Sequence, residues 1–417
     1  MTIQKTHSKG QNLVTAISCP RKEKSEACHV SAERNSAGEL LQLFRTGAAT
    51  TRGELQQVTG LARSTLTHRV DALLAGGYLT EDGSVADPRR GRPATRLRVS
   101  DQVTTVLVAD LGATHGRLAV STAAGEVINE TVIDSAIEKG PSTVLDTVIT
   151  ELDALLKRSG RPAETLRGVG MGVPGPVNWL TGRIARSISM PGWDNYPVGD
   201  HLASHYSVPA VVDNDANLLG LGEQRRIYPG AHLVLFVKIG TGIGASMIMD
   251  GELLRGSDSA EGDIGHAKIP GVEETCSSCG EPGCLAAIAS GRAMVRDLRR
   301  LGHAPVTTRD VVDLVRHGDP DAVRIVTEAG RALGDVLSTA VSLLNPNVLV
   351  IGGDIAHAYE RFVRGVRDTL LHRSQPLATA HLVIARTRLG DRAGITGAAA
   401  MVADSIFGID AVDAALS

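Results

Sequence analysis

V-L-V-A-D-L-G-A-T-H-G-R-L-A-V, residues 106–120, is an apolar run, a short Gly/Thr turn and a second apolar run. L-V-L-F-V-K-I-G-T-G-I-G-A-S-M-I-M, residues 233–249, repeats that plan. Each reads as a strand–turn–strand hairpin. Two such hairpins far apart in one chain predict a duplicated α/β unit with a cleft between its halves. Gly112, Thr114, Gly240, Thr241, Gly242 and Gly244 would bring backbone N–H groups close to phosphates there. Gly352 and Gly353, after N-V-L-V-I, offer a third approach, toward an adenosine. Taken singly, each glycine turn is equally well read as an ordinary tight hairpin.

Between the two hairpins lies V-V-D-N-D-A-N-L-L-G-L-G-E-Q, residues 211–224, a strand end, a polar turn and a helix. Asp and Asn excel as helix N-caps, which is one reading of Asp213, Asn214 and Asp215. The other makes Asp215 a general base over the cleft, with Asn214 binding a hydroxyl beside it.

The segment 262–284, G-D-I-G-H-A-K-I-P-G-V-E-E-T-C-S-S-C-G-E-P-G-C, gathers His266, Cys276, Cys279 and Cys284. One imidazole and three thiolates are a full tetrahedral set for zinc, with no position left for water, so the ion is expected to be structural. The Gly after Cys279 suits a tight knuckle that turns both sulfurs toward one ion. The remaining cysteines, Cys19 and Cys28, lie in a polar leader and read as incidental.

The chain has 417 residues, enough for two or three domains. No apolar run reaches the eighteen or so residues of a membrane span, and the N-terminus has no apolar signal core. Clustered thiols then fit a reducing cytoplasm and a metal better than disulfides. Residues 1–100 carry 15 Lys+Arg against 9 Asp+Glu, or +6, while the rest carries 28 against 37, or −9. A basic module on an acidic body points to an anionic partner for that module alone.

Residues 1–35 are polar and aperiodic, and expected to be disordered. Residues 36–100 read as a separate small domain of three helices and a hairpin, a winged helix-turn-helix. Leu40, Leu41, Leu43 and Phe44 form the apolar side of the first helix. Thr51 and Glu54 form a capping box for the second, with Leu55 and Val58 pointing inward and Gly60 turning the chain. In the third, Ala62, Leu66, Val70 and Leu73 share one face, leaving Arg63, Ser64, Thr65, Thr67 and His68 exposed to read a major groove. Gly76-Gly77 stops it. The wing carries Arg89, Arg90, Arg92, Arg96 and Arg98, suited to phosphates or a narrow A/T-rich minor groove. Operator DNA is the expected partner. Residues 101–417 are the α/β body.

D-L-G-A-T, G-V-P-G-P-V (172–177), D-N-D-A-N, G-T-G-I-G, G-D-I-G-H and C-x-x-C-G-x-x-G-C occur in that order. With the winged helix, this resembles the ROK family of repressors, open reading frames and sugar kinases, over residues 36–417. The resemblance implies a two-lobed actin-like fold with a sugar in the interlobe cleft and zinc beside it, and a homodimer or tetramer. It implies that Asp215 would deprotonate a sugar hydroxyl for attack on ATP. Asn214, Gly175 and His266 match sugar-contacting positions, His266 giving one ring nitrogen to zinc and the other to the sugar. Asp110, Gly112, Thr114 and the 240–244 turn match phosphate-binding segments.

The chain departs from the kinase pattern at Asp263 for Glu, Ala286 for Glu, Ser189 for Asn, Ala113 for Gly, and in one extra residue between Cys276 and Cys279. Asp263 and Ser189 remain candidate sugar contacts, and Ala286 has lost a polar one. These losses favour a sugar-responsive repressor of carbohydrate-utilisation genes. The alternative is an ATP-dependent sugar kinase with an appended DNA-binding domain.

Overall fold

The computed structural model describes residues 36–85, 93–185 and 190–417. Three helices open it: α1 (Ala37–Arg45), α2 (Arg52–Thr59) and α3 (Arg63–Ala75). Capping boxes start the first two, Ser36 with Glu39 and Thr51 with Glu54, and Gly60 in the left-handed region (φ 68°) ends the second. An antiparallel hairpin follows, β1 (Leu79–Val85) and β2 (Ala94–Val99). Along β2, Leu97 and Val99 are buried while Arg96 and Arg98 face out, the two-residue period of a half-covered ribbon.

Leu40, Leu41, Phe44, Leu55, Leu66, Val70 and Leu73 form the core of this unit. Two expectations fail. Val58 is 54% exposed, because α2 is short and only Leu55 reaches α3. Ala62 is the exposed residue before α3, not part of its buried face.

The body contains two five-stranded sheets of one design. The first has the order β5-β4-β3-β6-β9: β3 (Thr105–Leu111), β4 (His115–Thr122), β5 (Val127–Asp134), β6 (Leu166–Val173) and β9 (Ala210–Asn214). A two-stranded ribbon, β7 (Val177–Asn178) with β8 (Arg183–Ile184), branches from it. The second has the order β12-β11-β10-β13-β14: β10 (Leu233–Ile239), β11 (Ile243–Met249), β12 (Glu252–Leu253), β13 (Val348–Gly352) and β14 (Val383–Arg386). In both, the first strand pairs antiparallel with its hairpin partner and parallel with the next strand on its other side. The sequence echo at 106–120 and 233–249 is therefore the central hairpin of each half.

Alternation sorts the side chains of these strands. Leu107, Ala109 and Leu111 pack under α4 (Pro141–Ser159) and α5 (Val198–Tyr206). Leu235, Val237 and Ile239 pack under the outer helices α7 (Ala286–Ala289), α8 (Gly291–Arg300), α9 (Thr308–Arg316), α10 (Pro320–Leu344) and α11 (Tyr359–Arg373), near the short α12 (Pro376–Thr379). The opposite faces, Val106 and Val108 from one sheet and Val234 and Phe236 from the other, meet a shared helix pair. That pair is α6 (Asp215–Ile227) and α13 (Ala393–Phe407). It can sit between the lobes because the helices touch through glycine: a Cβ on Gly222 would overlap the Ala393 carbonyl oxygen, and one on Gly397 that of Leu218.

The small N-terminal unit does not stand apart from the body. Its core is continuous with Val402, Ile406 and Phe407 of α13 and Val412 of the last helix, α14 (Ile409–Leu416). Tyr78 meets Phe407 edge-on at 6.1 Å, Gly38 N–H donates to Asp413 Oδ1 at 2.7 Å, and Gln42 Nε2 donates to the Phe407 carbonyl at 2.7 Å. Among the described residues no single helix is long and apolar enough to cross a membrane.

Candidate functional site

A cleft of about 1640 Å³ opens between the lobes, room for a sugar and a second group beside it. Both hairpin turns reach it: Gly112 and Thr114 from one lobe, Gly240, Thr241, Gly242 and Gly244 from the other. Asp110, Gly175, Asn214, Asp215, Asp263 and His266 line it as well. The third glycine pair divides. Gly353 lines the cleft, but Gly352 does not, because its missing side chain makes room for the Phe236 ring.

Asp213 and Asn214 end β9, and Asp215 is the first residue of α6. The capping reading of this turn holds, and Asn214 and Asp215 also line the cleft. Asn214 Oδ1 caps the helix through Ala216 N–H at 2.9 Å, and its Nδ2 donates to the Gly175 carbonyl at 2.9 Å. Asp213 accepts from Asn214 N–H and Asn217 Nδ2 and pairs with Arg255. Arg255 also reaches Glu261 Oε1 at 3.3 Å and lies over the Trp179 ring. Asp215 is buried and bound to the Lys238 ammonium.

Lys238, Arg255 and Glu261 escaped the sequence reading. The signal for Lys238 was present as a lone charge in the apolar strand L-V-L-F-V-K-I, where burial demands a partner. Burial works against its charge, but Asp215, Asp110 and Asp354 outweigh that and hold its pKa above the ordinary lysine value. For Asp110, burial outweighs the opposing pull of Lys238 and Arg117. Its Oδ1 is sealed from solvent without a hydrogen-bond partner, and burial pushes its pKa up to about 7.

A chain of contacts crosses the mouth of the cleft. Thr114 Oγ1 lies 3.1 Å from His115 Nδ1, His115 Nε2 lies 3.0 Å from Arg309 Nη2, and Arg309 Nε donates to Asp354 Oδ1 at 3.3 Å. Burial and the guanidinium depress the His115 pKa, so the neutral ring accepts from Arg309 and donates to Thr114.

On the cleft wall, the ligand atoms of His266, Cys276, Cys279 and Cys284 lie within 4.8 Å of one another. Cys279 Sγ and Cys284 Sγ are 3.6 Å apart, and Cys276 Sγ is 3.9 Å from His266 Nδ1. Tetrahedral zinc with bonds of about 2.3 Å to sulfur and about 2.0 Å to nitrogen needs spacings close to these. Gly280 (φ 80°) donates its N–H to the Cys276 carbonyl at 2.8 Å and closes the expected knuckle. Burial and neighbouring thiols push Cys284 up to about 11, a cost that a bound cation removes by stabilising thiolate. The other imidazole nitrogen, Nε2, lies 3.9 Å from Asp263 Oδ1, toward the cleft. Ala286 opens α7 on the same wall.

In the N-terminal unit, Arg63, Ser64 and His68 are exposed on the first half of α3, with Thr65 and Thr67 half-buried beside them. Arg89, Arg90 and Arg92 of the wing, Ser189, and the leader 1–35 lie outside the described residues.

The ROK family model matches residues 106–405. The xylose repressor of Caldicellulosiruptor bescii is 26% identical over 365 residues, covering 84% of this chain and 91% of that protein. The glucokinase of Thermotoga maritima is 29% identical over 318 residues, covering 72% of this chain and 97% of its own. The crystal structure of a ROK family transcriptional regulator, a homologue of the E. coli Mlc protein, superposes with a TM-score of 0.75 at 24% identity, covering 91% of this chain and 97% of that one. With the duplicated sheets, the interlobe cleft and the ordered motifs in place, this chain belongs to the ROK family.

Proposed function

We propose that this chain is a sugar-responsive DNA-binding transcriptional repressor of carbohydrate-utilisation genes. The observation that carries the reading is mechanical continuity from the cleft to the DNA-reading unit. Asp215 opens α6 in the cleft, and Arg225 in the last turn of the same helix pairs with Asp404 of α13 at 2.8 Å. Asp404 also pairs with Arg45 of α1 at 3.4 Å. A sugar that binds one arrangement of the lobes more tightly biases the α6/α13 pair, and with it the placement of α3 on DNA. The repressor relatives support this, since they match through the N-terminal unit as well as the body.

Arg63, Ser64, Thr65, Thr67 and His68 would read base edges, and the wing residues Arg89, Arg90 and Arg92 would follow the backbone. Gly175, Ser189, Asn214, Asp215, Asp263 and His266 would face the sugar. His266, Cys276, Cys279 and Cys284 would hold a structural zinc ion that fixes the tautomer and orientation of His266. The active form would be a homodimer or tetramer in the cytoplasm, its symmetry matching a palindromic operator.

The test is fluorescence anisotropy of a labelled operator fragment with the full-length protein against a panel of hexoses, pentoses and amino sugars. Release by one sugar at constant salt is expected. Operator affinity indifferent to every sugar in the panel would remove the sensing role. The second reading, a sugar kinase, draws on Asp215 and the glycine turns converging in one cleft and on the glucokinase relatives. ADP release that is lost in Asp215→Asn would favour it.

A further inference from the structure

We propose that Lys238 is a built-in counter-cation that closes this cleft to metal-bound nucleotide and keeps it a receptor for uncharged sugar. This deepens the regulator reading and rests on the same cleft. Three carboxylates from three separate segments converge beneath the 240–244 turn. Asp110 ends β3, Asp215 opens α6, and Asp354 follows β13. Gly172 locates the first two: a Cβ there would lie 3.1 Å from Asp110 Oδ1 and 3.5 Å from Asp215 Cα. Gly240 locates the third: a Cβ there would lie 3.5 Å from Asp354 Oδ2 and 3.9 Å from Lys238 Cε.

A phosphoryl-transfer site uses such a set of carboxylates to hold a divalent cation that bridges the nucleotide's phosphates, and it leaves one carboxylate free to take the hydroxyl proton. Here the ammonium of Lys238 engages Asp215 directly and feels the charges of Asp110 and Asp354. An ammonium carries one charge and cannot bridge ligands by coordination, and this one is already engaged by Asp215, so it does not replace a divalent cation between phosphates. Lys238 is balanced by Asp215, so the floor offers no spare positive charge to a metal-free polyanion. Two further cations near these carboxylates are already engaged, Arg309 by Asp354 and His115 and Arg117 by Glu130. The residues present therefore do not fit metal-bound ATP, although the glycine turns alone would accommodate its phosphates. An uncharged sugar meets neither obstacle, and Asp215, fixed by Lys238, keeps an oxygen to accept a sugar hydroxyl.

The geometry explains why β10 tolerates a lysine. Lys238 pairs in register with Gly244 on one side and Gly352 on the other, so no neighbouring side chain crowds its stem. Val237 and Ile239 beside it are fully buried, which directs the ammonium to the cleft.

The experiment titrates full-length, zinc-loaded protein with Mn²⁺ alone and with Mn²⁺ plus a non-hydrolysable ATP analogue, following free Mn²⁺ by electron paramagnetic resonance. The wild type is expected to show no saturable site below about 1 mM. Lys238→Met keeps the stem and removes the charge. It should gain one Mn²⁺ site at least about tenfold tighter, lost again in Lys238→Met/Asp215→Asn. The double variant separates cleft binding from Mn²⁺ at the cysteine cluster. Tight Mn²⁺–analogue binding by the wild type overturns the proposal, as does a folded Lys238→Met that gains no site. If Lys238→Met does not fold, Lys238→Gln and the wild-type titration still decide it. Operator release by sugar, measured on the same wild-type sample, fails or succeeds independently, so the regulator reading is tested apart from this one.

Discussion

At the residue scale, charge placement decides the chemistry. Asp110 illustrates it through pH. Its folded pKa stands at about 7 against 3.8 for the free side chain, raised by burial. The folded state therefore holds a proton that the unfolded state releases between about pH 4 and 7. Stability falls as pH rises across that window and levels off above it. The limit is ~4 kcal/mol for a shift of about three units, and the half-buried position of Asp110 keeps the realised value below that. Asp110→Asn should flatten this decline, and urea unfolding at pH 4.5 and 7.5 would show it; parallel profiles for the two proteins would contradict the assignment. The metal cluster gives a second prediction at this scale. Cys279→Ser should drop zinc content from about one per chain toward zero and lower the melting temperature, both read by metal analysis and thermal unfolding. Full zinc retention would remove Cys279 from the ligand set.

At the scale of elements, two helix features carry consequences. Gly397 lets α13 approach α6 closely enough for both to lie between the sheets. Gly397→Ala forces a Cβ into the Leu218 carbonyl and should cost ~1–3 kcal/mol in chemical denaturation. Gly230→Ala, at a position with open space, is the control and should change little. The residues proposed to read DNA on α3 have the opposite character, since Arg63, Ser64 and His68 are exposed. Arg63→Ala should weaken operator binding by ~1–3 kcal/mol while leaving the melting temperature unchanged. Equal binding of wild type and variant across salt concentrations would take α3 out of the groove.

At the scale of the whole molecule, the N-terminal three-helix unit is mounted on the ends of the helices that join the two lobes. Asp404 is the smallest piece of that mounting, shared by Arg225 of α6 and Arg45 of α1. Allosteric coupling between sites is typically ~1–3 kcal/mol. Asp404→Asn should reduce the sugar-dependent change in operator affinity by about half or more while sugar affinity measured without DNA stays within about twofold. A variant with full coupling would place the transmission elsewhere along the Tyr78–Phe407 contact and the α1–α14 packing. The half-buried, solvent-reached bridges around Asp404 contribute little to stability on their own, so a folded variant is expected.

Local chemistry wrote much of this architecture into the sequence. The capping boxes at Ser36 and Thr51, the glycine turns, the alternation of β2 and the doubled hairpin each depend on residues a few positions apart. So does most of the metal knuckle from Cys276 to Cys284. The capping turn at 213–215 was also legible. What only the tertiary structure decided is every partner that arrives from far along the chain. Lys238 reaches Asp215 from the other lobe, Arg255 clamps Asp213 and Glu261, Phe407 closes the core of the N-terminal unit, and Val58 is left in solvent. Periodicity marks which face of an element is buried, but it carries no information about which distant element covers that face. A charge in an apolar strand announces that it needs a partner without naming it. The sequence determined a two-lobed ROK architecture with a His/Cys cluster and an N-terminal helical unit. Packing decided that Asp215 in its cleft is held by a lysine and that the N-terminal unit is tied to the helices between the lobes.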